Sequence, residues 1–205
     1  MMQSMNTEHH DVRQHILDTG KSIITGKGFA GVGLNEILTT AGVPKGSFYH
    51  YFKSKELFGE ALLENYMAEY LAHMEVLLGQ PGRNSAERLM AYWRSWIGPE
   101  QETCNDCRCL VVKLSSEVAD MSEAMRVALL RGTNQIVARL AECIEQALAD
   151  GSLRDIAEPA HTALTLYQLW LGAAMLTKLR REPSALDGAL RATLAILHLP
   201  ATAAN

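Results

Sequence analysis

Three cysteines lie close together in the middle of the chain, at a spacing that permits thiol chemistry. They are Cys104, Cys107 and Cys109, in the run TCNDCRCL. The thiolate is the reactive form of cysteine, and a nearby ammonium group lowers the pKa of a thiol. Lys113 follows Cys109 by four residues, so a helix through this segment would place both side chains on one face. Oxidation of such a thiolate gives a sulfenic acid, which a second thiol or a nitrogen can trap.

Two other interpretations of these cysteines stay open. Cys109 can be an inert thiol in a helical core, and the three thiolates together can hold a soft metal such as Zn²⁺ or Cu⁺. A fourth metal ligand is not evident, because no histidine is near in sequence. We therefore predict no metal and no cofactor. A disulfide between Cys107 and Cys109 would be strained, so Cys104 is the better partner for either. Cys143 lies among apolar residues at helical spacing and is predicted to be a core thiol.

The elements that such chemistry would have to control lie near the N-terminus, in residues 34–56, LNEILTTAGVPKGSFYHYFKSKE. Apolar residues at helical spacing predict a first short helix. Gly42 can adopt the positive φ that ends a helix, and Pro44 suits the first position of the next one. Ser54 is predicted to cap the long helix that follows these two. Two short helices around a tight turn form a helix-turn-helix, whose second helix is short enough to enter a DNA major groove.

The second of these helices carries the side chains predicted to contact DNA. The predicted contacts are Lys45, Gly46, Ser47, Tyr49 and His50, with Lys55 at the start of the following helix. Gly46 allows close approach of the backbone, while Phe48 and Phe52, four residues apart, are predicted to be core residues. The chain has a net charge of −4, but the stretch from Lys45 to Lys55 contains no acid. A local basic patch is enough to contact phosphates.

The rest of the chain is also patterned as helices. We predict an all-α protein of about nine helices, with a three-helix helix-turn-helix DNA-binding domain over residues 1–55. Residues 56–205 are predicted to form a helical ligand-sensing and dimerisation domain. The first helix is predicted over about residues 10–27 and the long fourth helix over residues 54–78, with Leu57 on its buried side.

The composition of the chain is typical of a folded protein that does not span a membrane. The chain has 205 residues, of which 48% are hydrophobic and 20% charged, as in an ordinary folded protein. No window approaches the ~18 apolar residues of a membrane span, and the N-terminus has no apolar core of a signal peptide. We therefore expect a cytoplasmic protein with reduced cysteines.

An enzyme is not expected, because the chain has no glycine-rich phosphate loop, no HExxH motif and no plausible Ser/His/Asp set. An aromatic set at helical spacing can instead line a pocket for a small molecule or pack in the core. That set is Tyr92, Trp93, Trp96, Tyr167 and Trp170.

The run AGVPKGSFYHYFKSKELFGEAL, residues 41–62, is similar to the DNA-binding motif of the TetR/AcrR family of bacterial transcriptional regulators. The resemblance covers about the first third of the chain. It implies a repressor in which Tyr49, His50 and Lys55 contact phosphates. It also implies a homodimer, formed through the last two helices, that binds a palindromic operator in double-stranded DNA.

Two further runs resemble a narrower branch of that family, the N-ethylmaleimide- and hypochlorite-responsive (NemR) repressors. They are CRCLVVKLSSEV, residues 107–118, and LWLGAAMLTKL, residues 169–179. This resemblance implies that Cys109 senses electrophiles or oxidants and that Lys178 can trap its oxidised form. Cys104 and Cys107 depart from the pattern of the branch, so either is an alternative trapping group. The alternative function is a repressor released by a small molecule that binds reversibly in the aromatic-lined pocket.

Overall fold

The computed structural model describes residues 2–97 and 105–200, and it describes side chains for residues 11–97 and 110–200. Within these ranges the chain forms nine α-helices and no strand, which confirms the predicted all-α class. The helices are α1 Met2–Lys27, α2 Leu34–Ala41, α3 Lys45–Tyr51, α4 Lys55–Leu78, α5 Ser85–Arg94, α6 Asn105–Met121, α7 Glu123–Ala149, α8 Pro159–Arg180 and α9 Ser184–Ile196. Helix α1 begins earlier than predicted, because no proline or glycine interrupts residues 2–19.

The helix-turn-helix forms where the sequence predicts it. Gly42 has a φ of 65° and ends α2, while Gly33 caps the start of α2 without a side-chain hydrogen bond. Pro44 is the N-cap of α3 and not its first helical residue, one position earlier than predicted. Ser54 caps α4, since its Oγ accepts a hydrogen bond from the Leu57 amide at 3.1 Å.

The predicted buried face of α4 is wrong at its first turn. Leu57 is exposed, whereas the next residue, Phe58, is fully buried. The physical reason is the aromatic core beneath α3, where the Phe58 ring lies 5.5 Å from Phe48 and 5.2 Å from Phe52 between centroids. Burial of a phenylalanine against two others outweighs burial of a leucine at the edge, so Phe58 and not Leu57 faces inward in the first turn of α4.

The chain divides into two compact units. The first unit comprises Met1–Ala68 and Cys109–Gly132, and the second comprises Glu69–Arg108 and Thr133–Asn205. The first unit therefore contains the helix-turn-helix together with α6 from Cys109 onward. The predicted boundary at residue 55 separates a DNA-binding domain from a sensing and dimerisation domain. That functional division stays a prediction.

The second unit is tied together at the start of α5. Asn84 and Glu87 form a reciprocal capping box there. Asp150 accepts a hydrogen bond from the Ser85 amide at 2.9 Å, and Ser152 Oγ accepts one from the Ala86 amide at 3.1 Å. Both groups follow the end of α7, so side chains about 65 residues distant in sequence satisfy the unpaired N–H groups that open α5.

Cys143 is a core residue, as predicted. It is fully buried on α7, and its Sγ donates a weak hydrogen bond to the Ser85 carbonyl at 3.5 Å. Burial raises the pKa of this thiol to about 11, which leaves it protonated and unreactive at neutral pH. No helix in the part of the chain that the structure describes is long and apolar enough to span a membrane.

Candidate functional site

The exposed side of α3 is the candidate nucleic-acid interface. We define the α3 face as Lys45, Gly46, Ser47, Tyr49 and His50. All of these except the half-buried Ser47 are exposed. The helix has only seven residues, and its inward side is held by Phe48. A short helix anchored from below by one large side chain presents its remaining residues to solvent.

The α3 face is ordered by its own contacts. The Lys45 ammonium lies 5.8 Å from the Tyr49 ring centroid, within cation–π range, which keeps the amine at the start of the helix. The Tyr49 ring meets Phe48 edge-on at 5.6 Å between centroids, and His50 meets Tyr51 edge-on at 4.9 Å. A Cβ at Gly46 would meet nothing within 4 Å, so the space there is open to an approaching partner.

Lys55 differs from the other predicted DNA contacts. Its Nζ donates a hydrogen bond to the Phe29 carbonyl at 2.9 Å and lies 4.5 Å from the Phe29 ring centroid. Burial lowers the pKa of Lys55, and the negative charge of Glu117 partly opposes that shift. The ammonium is thus already bound within the protein. A phosphate at this position would have to share it with Phe29.

The cysteine segment is described only in part. Cys104 lies outside the described residues. Cys107 and Cys109 lie on α6, and their side chains lie outside the description. Lys178 lies near the end of α8 in the second unit. The role of Cys109 and the identity of its partner therefore stay predictions, including the pairing with Lys178.

Lys113 is bound to the end of α1. Its Nζ donates hydrogen bonds to the Thr25 carbonyl at 2.7 Å and to the Gly26 carbonyl at 2.5 Å. These carbonyls belong to the last turn of α1, where intrahelical donors run out. The lysine predicted to lie near Cys109 thus also contacts the helix that precedes the helix-turn-helix.

The predicted aromatic residues converge in the second unit. The Trp93 and Trp170 rings stack at 5.1 Å and 16°, and Trp96 meets Trp170 edge-on at 5.7 Å. Tyr92 packs on Trp93 at 4.8 Å. All five predicted residues are buried. Side chains from α5, from the turn that follows it and from α8 therefore form one aromatic cluster, and its role as a ligand pocket stays a prediction.

Two residues with polar groups in the aromatic cluster were not predicted from the sequence. The Tyr70 hydroxyl, on α4, shares a 2.6 Å hydrogen bond with the Tyr92 hydroxyl, and Thr193 Oγ1, on α9, accepts the Trp170 Nε1 proton at 2.8 Å. Helical spacing could have indicated that Tyr70 is buried, since it lies four residues after Tyr66, which is also buried. No local pattern could have indicated the role of Thr193, because its partner Trp170 lies 23 residues away.

The aromatic cluster is buried from water, and one hydrogen-bond donor within it, on Trp93, has no acceptor among the described residues. Burial raises the pKa of Tyr92 well above its ordinary value, and Tyr70 adds to the shift; burial also raises the pKa of Tyr167. Both phenols therefore stay neutral and able to donate hydrogen bonds at any physiological pH. The Trp93 Nε1 proton is buried and has no hydrogen-bond partner among the described residues.

Metal chemistry has no visible site in the described part of the chain. Among the described side chains, no three histidine, cysteine or acidic residues come together as metal ligands. The side chains of Cys104, Cys107 and Cys109 are not among them, so the soft-metal interpretation stays open.

Comparison with known families gives two matches that together span most of the chain. Residues 16–62 match the family model described as bacterial regulatory proteins, tetR family. Residues 85–193 match the model described as tetracyclin repressor-like, C-terminal domain. The first match contains α2 and α3, and the second contains the aromatic cluster apart from Tyr70.

Alignments with individual relatives cover nearly the whole chain. The chain is 41% identical over 192 residues to the HTH-type transcriptional repressor NemR of Escherichia coli K12, covering 94% of this chain and 96% of that protein. It is 32% identical to the HTH-type transcriptional repressor DhaR of Mycobacterium sp. strain GP1, covering 93% and 94%. The crystal structure of the reduced form of E. coli NemR superposes with a TM-score of 0.85, covering 94% of this chain and 100% of that chain.

Proposed function

The chain belongs to the TetR family of bacterial regulatory proteins, and we propose that it is a homodimeric repressor released from DNA by chemical modification of Cys109. The observation that carries the proposal is the similarity to NemR, a relative named as a repressor, at 41% identity over 94% of the chain. The NemR crystal structure that superposes on this chain is that of a reduced form.

The α3 face supports the DNA-binding part of the proposal. It combines a cation, an aromatic hydroxyl, a histidine and an open glycine on one exposed helix surface. These groups suit phosphate oxygens and base edges in a major groove. Beneath them the buried rings of Phe48, Phe52 and Phe58 anchor α3 in the core, and a recognition helix needs such packing support.

The position of Cys109 along the chain supports the thiol switch. Cys109 lies on α6, and the residues of α6 from Cys109 onward belong to the same compact unit as α1 to α3. Modification of Cys109 would therefore change a helix that belongs to the same unit as the DNA-binding helices. For release, modification must favour a state in which the two recognition helices no longer match the operator half-sites.

Exposed apolar side chains on α8 support a homodimer. Leu164, Met175 and Leu179 are 41%, 52% and 77% exposed. Their spacings of eleven and four residues place them on one face of the helix. Helix α8 packs against α9 through the hydrogen bond between Trp170 and Thr193, so a second copy meeting this face would form the four-helix interface expected of a two-fold dimer.

The proposal is tested by measuring DNA affinity before and after thiol modification. A duplex is first selected from a random pool by the reduced protein, and its Kd is then measured with and without N-ethylmaleimide. Modification of Cys109 should weaken binding by about 5- to 150-fold, the usual range for coupling between two sites. Mass mapping identifies the modified residue, and hypochlorite treatment tests whether Lys178 or another cysteine traps the oxidised thiol.

Matched cysteine variants separate the candidates. Cys109→Ser should abolish the response, whereas Cys104→Ser and Cys107→Ser should retain the response to N-ethylmaleimide. Cys143 serves as an internal control, because a buried thiol with a pKa of about 11 should stay unmodified in the folded protein. Full modification of Cys109 with unchanged DNA affinity would exclude the thiol switch.

A second candidate function is release by a reversibly bound small molecule. The observation that favours it is the unpaired Nε1 proton of Trp93, buried inside the aromatic cluster and without a partner among the described residues. An unmet buried donor suits a ligand with a hydrogen-bond acceptor. An aromatic or conjugated carbonyl compound fits both the rings and the donor. This candidate predicts that Cys109→Ser still responds to the ligand.

The tryptophans make the second candidate directly measurable. The chain has three tryptophans, and Trp93, Trp96 and Trp170 all lie in the aromatic cluster. Intrinsic tryptophan fluorescence therefore reports on this site alone. A saturable change in fluorescence that accompanies DNA release in Cys109→Ser would establish the pocket, and release without any change would exclude it.

A further inference from the structure

Two side chains on α6 hold the end of α1 and the loop that follows it. Lys113 donates to the Thr25 and Gly26 carbonyls at 2.7 and 2.5 Å. Glu117 accepts hydrogen bonds from the amide of Phe29 at 3.1 Å and from the amide of Ala30 at 2.5 Å. We call these two side chains, with the four backbone groups that they bind, the α6 clamp.

The charges of the α6 clamp match the polarity of the backbone that it holds. The last carbonyls of α1 carry partial negative charge and lack intrahelical donors, so they suit the Lys113 ammonium. After Lys27 the chain reverses at Gly28, whose φ of 84° turns the next two N–H groups toward the Glu117 carboxylate. A Cβ at Gly28 would lie 3.1 Å from Glu117 Oε2, so the approach favours glycine.

Lys55 extends the same set of contacts to α4. Its Nζ binds the Phe29 carbonyl at 2.9 Å, on the residue whose amide Glu117 holds. Lys55 opens α4, which follows directly after α3. The loop residue Phe29 is buried, so it cannot move without displacing its neighbours. A continuous run of polar contacts therefore joins α6 to both ends of the helix-turn-helix.

We propose that Lys113 and Glu117 are positioning residues that couple α6 to the recognition helix. In this role they act through the backbone groups that they bind and need no contact with DNA. They fix the α1–α2 loop to α6, so that a change in α6 is transmitted to α2 and α3. The inference rests on the proposed function for its physiological trigger, since Cys109 lies one helical turn before Lys113.

Hydrogen exchange tests this coupling without any thiol chemistry. If α6 and the helix-turn-helix are coupled, operator binding must act back on α6, because coupling free energy is reciprocal. In the reduced wild-type protein, the selected duplex should slow amide exchange at Phe29, at Ala30 and across residues 110–121, whereas a scrambled duplex should not. Absence of any effect in α6 would overturn the inference.

Variants then assign the coupling to the α6 clamp. Lys113→Met and Glu117→Gln should abolish the operator effect on residues 110–121, and Lys113→Arg should restore it because a donor is kept. The matched control is Glu123→Gln, which removes the same charge from an exposed pair with Arg126 confined to α7. A loss of thermal stability with the operator effect intact would show a merely structural role and overturn the proposal.

The response to N-ethylmaleimide gives a second readout. Residues along a coupling path typically alter coupling by about 2- to 30-fold. The ratio of modified to reduced Kd should therefore fall by that factor in Glu117→Gln and stay unchanged in Glu123→Gln. If wild-type protein is not released by modification, the proposed thiol switch fails on its own, and the exchange measurement still decides the fate of the α6 clamp.

Discussion

Tyr49 on α3 and Tyr92 on α5 are both aromatic residues on short helices, yet one is 40% exposed and the other 2% exposed. The surroundings of each helix cause the difference. Helix α3 has one buried face, and its other side is exposed to solvent. Helix α5 buries Leu89, Met90, Tyr92 and Trp93 together. An aromatic residue at helical spacing therefore indicates a binding surface only where its helix packs on a single side.

The largest effect should come from truncating the aromatic cluster. Trp170→Ala removes a stacked ring and the hydrogen bond to Thr193, and it should lower the free energy of unfolding by about 3–5 kcal/mol. The matched change Tyr49→Ala on the α3 face should alter it by less than about 0.5 kcal/mol. Chemical denaturation at a fixed protein concentration measures both, since dimer stability depends on concentration.

Similar losses of stability in the two variants would contradict this contrast between α3 and α5. A small effect of Trp170→Ala would mean that the cluster is loosely packed and behaves as a pocket. A large effect of Tyr49→Ala would mean that Tyr49 supports the fold of α3 and does not serve mainly as a contact.

The next effect concerns DNA affinity and leaves stability unchanged. Lys45→Ala should weaken operator binding and reduce the slope of log K against log salt by about 2, because a dimer would lose two phosphate contacts at about 0.9 each. Arg154→Ala is the control, as Arg154 is an exposed cation in the second unit. An unchanged salt slope in Lys45→Ala would exclude a phosphate contact at this position.

A smaller effect depends on pH and concerns the start of α5, the helix that carries Tyr92. Hydrogen bonds from Ser152 and Ser85 hold the pKa of Asp150 below its ordinary value. The folded protein thus favours the carboxylate, so its stabilising contribution is present above about pH 4, the ordinary aspartate range. It is lost as the pH falls toward the lowered native pKa.

The variant Asp150→Asn tests this contribution. It should destabilise the protein at neutral pH and reduce the acid dependence of stability below about pH 4. Thermal unfolding across a pH series measures both, with Asp155→Asn as the control at an exposed neighbouring aspartate. Identical acid profiles for wild type and Asp150→Asn would rule out the assigned role.

The smallest effect is a gain of stability at the start of α2, the helix before α3. Gly33 caps α2 with φ −79° and ψ 151°, a conformation open to any residue, and a Cβ there meets nothing within 4 Å. Gly33→Ser would supply the missing cap oxygen and should stabilise the protein by about a few tenths of a kcal/mol. Gly33→Ala adds a Cβ without an oxygen and should give no such gain. A loss of stability in Gly33→Ser would show that the cap site is not free.

Local signals were enough to predict much of the fold. Gly42 ends α2 and Ser54 caps α4, as their backbone chemistry predicts, because capping depends on residues within one turn. The exposed residues of the α3 face follow from Phe48 and Phe52 as inward anchors, four positions apart. These features involve neighbours in sequence, so periodicity and turn chemistry determine them.

Long-range pairing was not predictable in the same way. Glu117 and the Phe29 amide are 88 residues apart, and Asp150 and the Ser85 amide are 65 apart. In each pair one group belongs to the backbone, which carries no sequence signature. Which residue is buried in the first turn of α4 also depended on tertiary packing, because Phe58 and Leu57 are both apolar. Only the ring contacts of Phe58 in the aromatic core beneath α3 decide between them.

A single titration that follows DNA binding and Cys109 modification together would decide whether a thiol controls this repressor. Reduced protein bound to the selected duplex is treated with increasing N-ethylmaleimide, and the bound fraction is compared with the modified fraction of each cysteine measured by mass. We predict that release follows modification of Cys109 and that Cys143 stays unmodified throughout. DNA binding that persists after Cys109 is fully modified would contradict the thiol switch.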